Sequence, residues 1–305
     1  MTVPQTAATA TPYDDGVRAA AARSRTSRRR VPRPVPLLAA AFFVLVFVAA
    51  AFPGLFASLF AGLFNQGPNV VDPAAALRGP SQGHPFGTDQ LGRDVFARVV
   101  YGARPSLLVG LGSTLLAGAA GSVWGLLAAL GGRVAGEAAM RVADVFLAFP
   151  SILMALLVVA VLGPGTGHAV VAITISLAPG FARIVRVQAL VVRGSPYVRA
   201  ATNLGLPPWR ILCRHIVPNV LAPLLILATL NVGTAIIAGA SLSFLGLGPQ
   251  PPDPEWGSML AQARDYLDAS WTLAVFPGAA ITLTVMSVSV IGRELQARYE
   301  GRESR

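Results

Sequence analysis

The stretch that decides the fold is residues 105–132, which read PSLLVGLGSTLLAGAAGSVWGLLAALGG. It contains no charged side chain, and Arg104 and Arg133 lie immediately on either side of it. An α-helix needs about 20 apolar residues to cross the hydrocarbon core of a bilayer. The stretch is long enough for one crossing, so it predicts a transmembrane helix.

Four further runs without charged residues extend this pattern: 34–71, 145–182, 215–252 and 269–292. The run 145–182 is interrupted by GPGTGH at 163–168, a composition typical of a tight turn between two helices. The sequence therefore predicts an all-α polytopic membrane protein. Its six transmembrane helices are expected over residues 37–61, 105–132, 146–162, 169–192, 220–244 and 269–292.

The composition excludes several classes of function. Hydrophobic residues make up 54% of the chain and charged residues 12%, with a mean hydropathy of +0.61. All 24 basic residues are arginine, so the chain has no lysine for a Walker A motif or a Schiff base. Cys213 is the only cysteine, and the three histidines are far apart in sequence, so we expect no disulfide and no metal site. No catalytic motif is present, and we expect a non-catalytic subunit without a cofactor of its own.

The distribution of arginine predicts the orientation in the membrane. If the N-terminus is cytoplasmic, the cytoplasmic segments hold 19 arginines and the outer segments hold 5, while acidic residues divide equally. The positive-inside rule then places both termini in the cytoplasm. The arginine-rich tail at 1–36 is expected to be disordered and to contact anionic membrane lipid, because no aromatic or folded reader of nucleic acid accompanies it.

One loop between two predicted helices is more structured than a simple connection requires. Residues 193–218 read RGSPYVRAATNLGLPPWRILCRHIVP. Ser195 can cap a short helix that has Pro196 at its first position, and Gly205 followed by Pro207 is typical of a sharp helix end. A short capped helix that projects from the membrane is suited to docking in the groove of a partner.

The same loop resembles the EAA loop of bacterial ABC importer permeases, whose pattern is E-A-A-x3-G-x9-I-x-L-P. Ala200, Ala201, Gly205 and Pro218 are in register with that pattern. Arg199 stands where the family has glutamate. The resemblance implies that these five residues couple the chain to an ATPase.

Two further segments make the resemblance more specific. HPFGTDQLGRD at 84–94 is similar to a signature that precedes the second span in these proteins. SLSFLGLG at 241–248 and PPDPEWG at 251–257 are similar to the segment after the fifth span. Over residues 84–295 the chain resembles the C-type permease subunit of dipeptide, oligopeptide and nickel ABC importers. Gly239 stands where relatives usually have glutamate.

The resemblance implies a type I ABC importer permease fold in a bacterial cytoplasmic (inner) membrane. The expected partners are a homologous permease subunit, one or two ABC ATPase subunits that carry ATP and Mg, and an extracytoplasmic substrate-binding protein. The cargo implied is a di- or oligopeptide, with nickel or another small solute as the alternative. The predicted organisation is a tail (1–36), a first span (37–61), an extracytoplasmic segment (62–104), a permease core (105–295) with the coupling loop (193–218), and a second tail (296–305).

Two other groups of residues have a candidate role, and each group has a second interpretation. Asn231, Thr234 and Ser241 recur at helical spacing, so they can line a translocation path or mediate helix packing. The outer residues can form a docking surface for the binding protein or a self-packed cap; they are Asp89, Arg93, Asp94 and Trp256. A self-sufficient carrier or channel is a more remote function, because no ionisable side chain lies deep in a predicted span.

Overall fold

The computed structural model of the protein describes residues 34–59 and 67–303. Outside the described residues lie most of the predicted tail (1–33), the last two residues of the predicted first span (60–61), the start of the predicted extracytoplasmic segment (62–66) and the last two residues of the chain (304–305). Within the described residues the chain is helical, with isolated bridges at Ser81–His84 and Thr88–Asp94 and no β-strand. The prediction of an all-α protein is confirmed.

Eleven α-helices follow one another along the described residues. They are α1 (Pro34–Ala51), α2 (Pro53–Leu59), α3 (Val95–Leu130), α4 (Gly132–Ala148), α5 (Ser151–Leu162), α6 (Thr166–Arg193), α7 (Pro196–Asn203), α8 (Pro208–Ile211), α9 (Val217–Phe244), α10 (Trp256–Ala263) and α11 (Thr272–Glu303). Short 3₁₀ turns occur at Pro73–Ala75 and Arg264–Tyr266, and a π-helical segment, Leu212–Ile216, joins α8 to α9.

Five helices are long and apolar enough to cross a membrane: α1, α3, α6, the continuous helix from α8 through α9, and α11. The pair α4 and α5 is a sixth span only if it is counted as one bent unit. These helices lie within or overlap all six stretches predicted from the sequence. The predicted boundaries of the tails and of the core stay predictions.

The third predicted span, 146–162, is not one straight helix. The chain bends by 91° between α4 and α5. The ring of Pro150 disfavours helical geometry in the preceding residue, and Phe149 is accordingly extended, with φ −88° and ψ 139°. The 12 residues of α5 span about 18 Å, which is less than the hydrocarbon thickness.

The most extensive helix contact in the core is between α3 and α6, and it is made through small residues. A Cβ atom on Gly121 would lie 2.5 Å from the Cβ of Phe181, and one on Gly125 would lie 2.8 Å from the Cβ of Val185. Gly121, Gly125 and Ala117 are spaced four residues apart, so they share one face of α3. Small residues let two backbones approach in a membrane, where dispersion contacts replace the hydrophobic effect between helices.

The remaining helices surround this pair. Buried residues of α9 pack against both α3 and α6, and α11 packs against α9. At the periphery, α1 contacts α11 and α3, and most of its apolar side chains are exposed. The segment 67–94 and the segment 245–271 meet at one end of the bundle, and α7 with the π-helical segment lies at the other.

We predict that Gly121→Ile destabilises the fold by about 1–3 kcal/mol, because the added side chain forces α3 away from α6. The matched control is Gly180→Ala, since a Cβ at Gly180 on α6 meets no atom within 4 Å. Thermal unfolding of the purified chain in detergent measures both variants. Equal melting temperatures for the two variants would contradict the close-contact interpretation.

Candidate functional site

The predicted short helix in the loop 193–218 exists as α7, Pro196–Asn203. Ser195 occupies the N-cap position with extended backbone angles, φ −70° and ψ 150°. Its hydroxyl donates a hydrogen bond backwards to the carbonyl of Val192 at 2.6 Å and makes no capping bond to α7. The prediction of a side-chain cap by Ser195 is therefore wrong, although the position of the helix start is right.

The end of α7 agrees with the prediction from Gly205. Gly205 has φ +78°, a conformation that penalises residues with a Cβ. Its amide donates to the carbonyl of Thr202 at 3.0 Å, and the amide of Leu206 donates to the carbonyl of Ala201 at 3.2 Å. These two bonds form a Schellman motif, which ends the helix and satisfies its last carbonyl groups.

One side of α7 is packed onto the membrane helices. Val198 is 2% exposed and belongs to the buried cluster that contains Phe181 and Val185 of α6. Ala201 is also buried, whereas Arg199 and Ala200 are exposed. Of the two alanines that the sequence assigns to coupling, Ala200 is therefore the one that faces away from the membrane helices.

The other side of α7 and the start of α8 expose large apolar side chains. Leu204 is 80% exposed, Trp209 is 63% exposed, and Tyr197 is 47% exposed. The guanidinium of Arg210 lies 5.4 Å from the centroid of the Trp209 ring. We call the exposed set the coupling surface; it comprises Tyr197, Arg199, Ala200, Leu204, Gly205 and Trp209. Sequence analysis did not single out Leu204 or Trp209, since exposure cannot be read from one apolar residue in a loop.

Pro218, the last residue of the resemblance to the EAA loop, follows the π-helical segment. Proline has no amide hydrogen, so the carbonyl of Arg214 cannot receive the usual helical bond from position 218. The amide of Val217 instead bonds to the carbonyl of Leu212, five residues back. The side chain of Asn219 donates to the carbonyl of His215 at 2.6 Å. Pro218, in the first turn of α9, is thus accommodated by a local widening of the helix in the segment just before it.

The three polar residues assigned to a translocation path have different environments on α9. The amide of Asn231 donates to the carbonyl of Leu227 at 2.9 Å, and the residue is partly buried. Thr234 is exposed, and Ser241 bonds to the carbonyl of Ile237 on its own helix at 2.8 Å. Thr234 and Ser241 are separated by seven residues, so they lie on one face of α9, which the described residues do not fully cover.

The residues assigned to docking at the other end are buried inside a cap. Asp89 accepts hydrogen bonds from the backbone amides of Leu91 and Arg93, each at 2.9 Å, and from the Nε of Arg93 at 2.6 Å. Asp89 and Arg93 are 5% and 4% exposed. They satisfy each other, as the self-packed cap predicts, so a protein that docks on this chain does not meet them directly.

Asp94 begins α3 and ties it to the motif at 84–94. Its carboxylate accepts from the amides of Phe96 and Ala97 at 2.8 and 3.2 Å and lies 3.3 Å from Nδ1 of His84. Burial raises the pKa of Asp94, and the hydrogen bonds from Ala97, His84 and Phe96 oppose that increase. Asp94 is therefore an N-cap of α3, and it stays 1% exposed.

Arg98, on the first turn of α3, joins the two outer segments. Its Nη1 donates to the carbonyl of Pro68 at 3.1 Å, to Oδ1 of Asn69 at 3.2 Å and to the carbonyl of Pro252 at 3.4 Å. Its Nε lies 3.6 Å from a carboxylate oxygen of Asp89. The outer segments 67–94 and 245–271, which are distant in sequence, thus form one cap at the same end of the bundle.

Trp256 and Glu255 occupy the centre of this cap. The indole of Trp256 is 1% exposed and donates to the carbonyl of Val99 at 2.8 Å. Glu255 is 2% exposed and accepts from the hydroxyl of Ser106 at 3.1 Å and from the amide of Ser258 at 2.8 Å. Sequence analysis quoted Glu255 only as a letter of a motif and did not connect it to Ser106, which is 149 residues away.

Histidine, cysteine and carboxylate side chains are dispersed over the described part of the chain. No group of three or more histidine, cysteine, aspartate or glutamate side chains there converges on a point where an ion could bind. Asp144 of α4 forms an ion pair with Arg183 of α6, and Asp89 forms ion pairs with both Arg93 and Arg98.

Comparison with known proteins identifies close relatives. Residues 121–305 match the family described as "Binding-protein-dependent transport system inner membrane component". The chain is 45% identical to the dipeptide transport system permease protein DppC of Alkalihalophilus pseudofirmus over 227 residues, 74% of each protein. It is 40% identical to the glutathione transport system permease protein GsiD of Pectobacterium atrosepticum over 268 residues, 88% of this chain and 87% of the relative.

Solved structures with a similar fold are more distant in sequence. A chain of the MetNI methionine ABC transporter in an inward-facing conformation superposes with a TM-score of 0.54 at 20% identity, over 66% of this chain and 95% of that chain. A chain of an amino acid ABC transporter superposes with a TM-score of 0.50 at 17% identity, over 67% and 95%. At this identity the likeness shows the type I importer permease fold alone.

The buried carboxyl of Glu255 leads to a prediction on pH. Burial raises its pKa, against hydrogen bonds from Gly257, Ser258, Ser243 and Ser106 that lower it. Its contribution to stability is therefore full below the pKa of the unfolded state, about 4.3, and is lost as the pH rises through the higher folded pKa. Because glutamine does not ionise, the melting temperature of Glu255→Gln minus that of the wild type should increase between about pH 4 and pH 8.

Thermal unfolding of the purified chain across this pH range measures the difference. Gln262→Asn is the control, since it changes a side chain in the same cap without adding or removing an ionisable group. A Glu255→Gln difference that stays constant with pH, as expected for the control, would contradict the raised pKa of Glu255.

Proposed function

Because the chain belongs to the family of binding-protein-dependent transport system inner membrane components, we propose that it forms one half of the membrane channel of an ATP-driven peptide importer. It is a multi-pass ABC permease subunit, a transport component. The second half is a homologous permease subunit. Hydrolysis of ATP takes place on one or two separate ABC ATPase chains, which carry the nucleotide and Mg.

The observation that carries the proposal is the coupling surface. Leu204 and Trp209 are exposed at the end of the bundle opposite the cap, where no other described residue covers them. Burying one leucine side chain contributes roughly 1.5–3 kcal/mol. Binding of a partner with an apolar groove that buries Leu204 would be stabilised by that free energy. On the buried side of α7, Val198 packs in one cluster with Phe181 and Val185 of α6. We propose that this contact passes the movement of such a partner to α6.

The channel is proposed to run along α9. Thr234 and Ser241 lie on a face that the chain leaves partly open, and the homologous subunit supplies the opposite wall. Six spans do not enclose a path by themselves, so pairing of two subunits accounts for the open face. Closure of the ATPases would move the coupling surfaces and switch the channel between inward- and outward-facing states, a two-state change driven by ligand binding.

An extracytoplasmic binding protein is proposed to deliver the substrate to the cap. Asp89, Arg93, Asp94 and Trp256 shape this cap from inside. The residues that contact the binding protein are then exposed residues of the same segments, such as Gln82 and Leu91.

The proposed cargo is a di- or oligopeptide, since the relatives carry the names of dipeptide and glutathione permeases. The cellular location that follows is the bacterial inner membrane, with both termini in the cytoplasm. Uptake of a labelled dipeptide by vesicles that contain the assembled complex tests the cargo, and uptake of radioactive nickel by the same vesicles tests the alternative.

The proposed orientation leads to a labelling prediction. Cys213 is exposed beside the coupling surface, so a membrane-impermeant maleimide should label it from the cytoplasmic side alone. In a Cys213→Ser background, Gln82→Cys should be labelled from the outer side alone. Intact cells and inverted vesicles are the two preparations to compare. Labelling of Cys213 in intact cells would reverse the orientation and with it the position of the ATPase.

A second prediction tests the coupling surface. Leu204→Ser should reduce both co-purification of the ATPase and dipeptide uptake by about tenfold or more, because the apolar contact with the partner is lost while the fold is unchanged. Gly205→Val should have a similar effect at a strain of about 1–2 kcal/mol, since its φ is positive. Ala201→Glu is less informative because Ala201 is buried in the chain itself.

Leu267→Ser is the matched control, since Leu267 is also exposed but lies in the cap segment. It should keep the ATPase. If Leu204→Ser and Gly205→Val retain the ATPase and transport at the wild-type rate, α7 merely connects two spans.

A further inference from the structure

The centre of the cap contains a buried carboxylate without a cationic partner. Glu255 bonds to Ser106 of α3 and to the first turn of α10, and it appears in no salt bridge among the described residues. Ser243, near the end of α9, lies beside the same carboxylate. Glu255 therefore bonds to α3 and to α10 next to the outer end of α9, and α3 is distant in sequence from the other two helices.

The backbones of the same three helices are in direct contact around Glu255. A Cβ on Gly257 of α10 would lie 2.6 Å from the Cα of Ala240 on α9. A Cβ on Gly102 of α3 would lie 3.3 Å from the ring of Trp256. Because these glycines leave no space, a change in the position of one helix is passed on to the others.

The helix α9 connects this junction with the coupling surface. It is continuous with α8 through the π-helical segment, so one helical rod extends from Pro208 to Phe244 over 37 residues, a length of about 55 Å. Its first end contains Trp209 and follows Leu204 in the chain. Its last turns contain Ala240 and Ser243, which touch the Glu255 junction.

A carboxylate is an unfavourable choice if the junction serves stability alone. Removing the charge of a carboxylate from water without a cation costs free energy that apolar packing would not incur. The hydroxyl of Ser106 and the amide of Ser258 donate hydrogen bonds to Glu255 and offset part of that cost. Departures from stable packing concentrate where a structure must perform a function.

We propose that Glu255 is a positioning residue, which fastens the outer end of α9 to α3 and α10 so that movement of the coupling surface opens and closes the cap. This inference rests on the proposed function, because it assumes that an ATPase moves the coupling surface. It assigns Ser106 as the partner of Glu255 on α3. When the contacts of Glu255 are lost, movement of the coupling surface no longer moves the cap, but the complex stays assembled.

The test compares serine variants on one helix. Ser106→Ala removes the bond from α3 to Glu255, whereas Ser122→Ala removes a hydroxyl that bonds to the carbonyl of Gly118 on the same helix. The full complex with its ATPases is reconstituted in vesicles, and dipeptide uptake is divided by ATP hydrolysed. We expect Ser106→Ala and Glu255→Ala to lower this ratio at least fivefold, Ser122→Ala to leave it unchanged, and Glu255→Gln to restore part of it.

Hydrogen exchange supplies a readout that does not depend on transport. In Ser106→Ala and Glu255→Ala, the amides of residues 256–263 should exchange faster than in the wild type and in Ser122→Ala. A normal uptake ratio in both variants overturns the proposal, as does a parallel loss of assembly, uptake and hydrolysis. If the wild-type complex itself transports no peptide, the proposed function fails, and the exchange rates still show whether Glu255 fastens the helices.

Discussion

The fold depends on the close contact of α3 with α6, which small residues make possible. Between helices in a bilayer the hydrophobic effect gives no driving force, because lipid tails are as apolar as the side chains. The association must come from dispersion contacts, and these require the backbones to approach closely. Gly121 and Gly125 provide that approach opposite Phe181 and Val185. With α3 and α6 held together, α9 packs against both, and α11 and α1 complete the bundle.

The two ends of the bundle differ in how their polar and apolar groups are satisfied. At the cap, charged residues are buried and paired inside the chain, as Asp89 is with Arg93 and as Asp94 is with the first turn of α3. At the coupling surface, apolar residues such as Leu204 and Trp209 are exposed, and no described residue covers them. The cap thus pairs its charged groups internally, whereas the coupling surface presents apolar side chains to its surroundings. The helix α9 extends from one end to the other.

Much of the architecture could be predicted because it follows from local chemistry. Charge-free runs located the helices, and Gly205 located the end of α7. One prediction failed because a neighbour decides the outcome: Ser195 has the right position for a capping side chain, but its hydroxyl bonds to Val192 instead. The motif that contains Ala201 does not specify its burial, which follows from how α7 packs, and its role in coupling stays a prediction. Pro150 marks a break in the span 146–162, but only the structure gives the angle of 91°.

The sequence by itself determined the helical class, the number of apolar segments, the arginine asymmetry and the family to which the chain belongs. These properties depend on composition and short-range order, which a bilayer converts directly into helices. Only the tertiary structure decided which motif residues are buried and which are free to meet a partner. It alone brought Glu255 to Ser106 across 149 positions of sequence. The reason is physical: burial and hydrogen-bond partnership are relations between distant segments, and no single segment contains them.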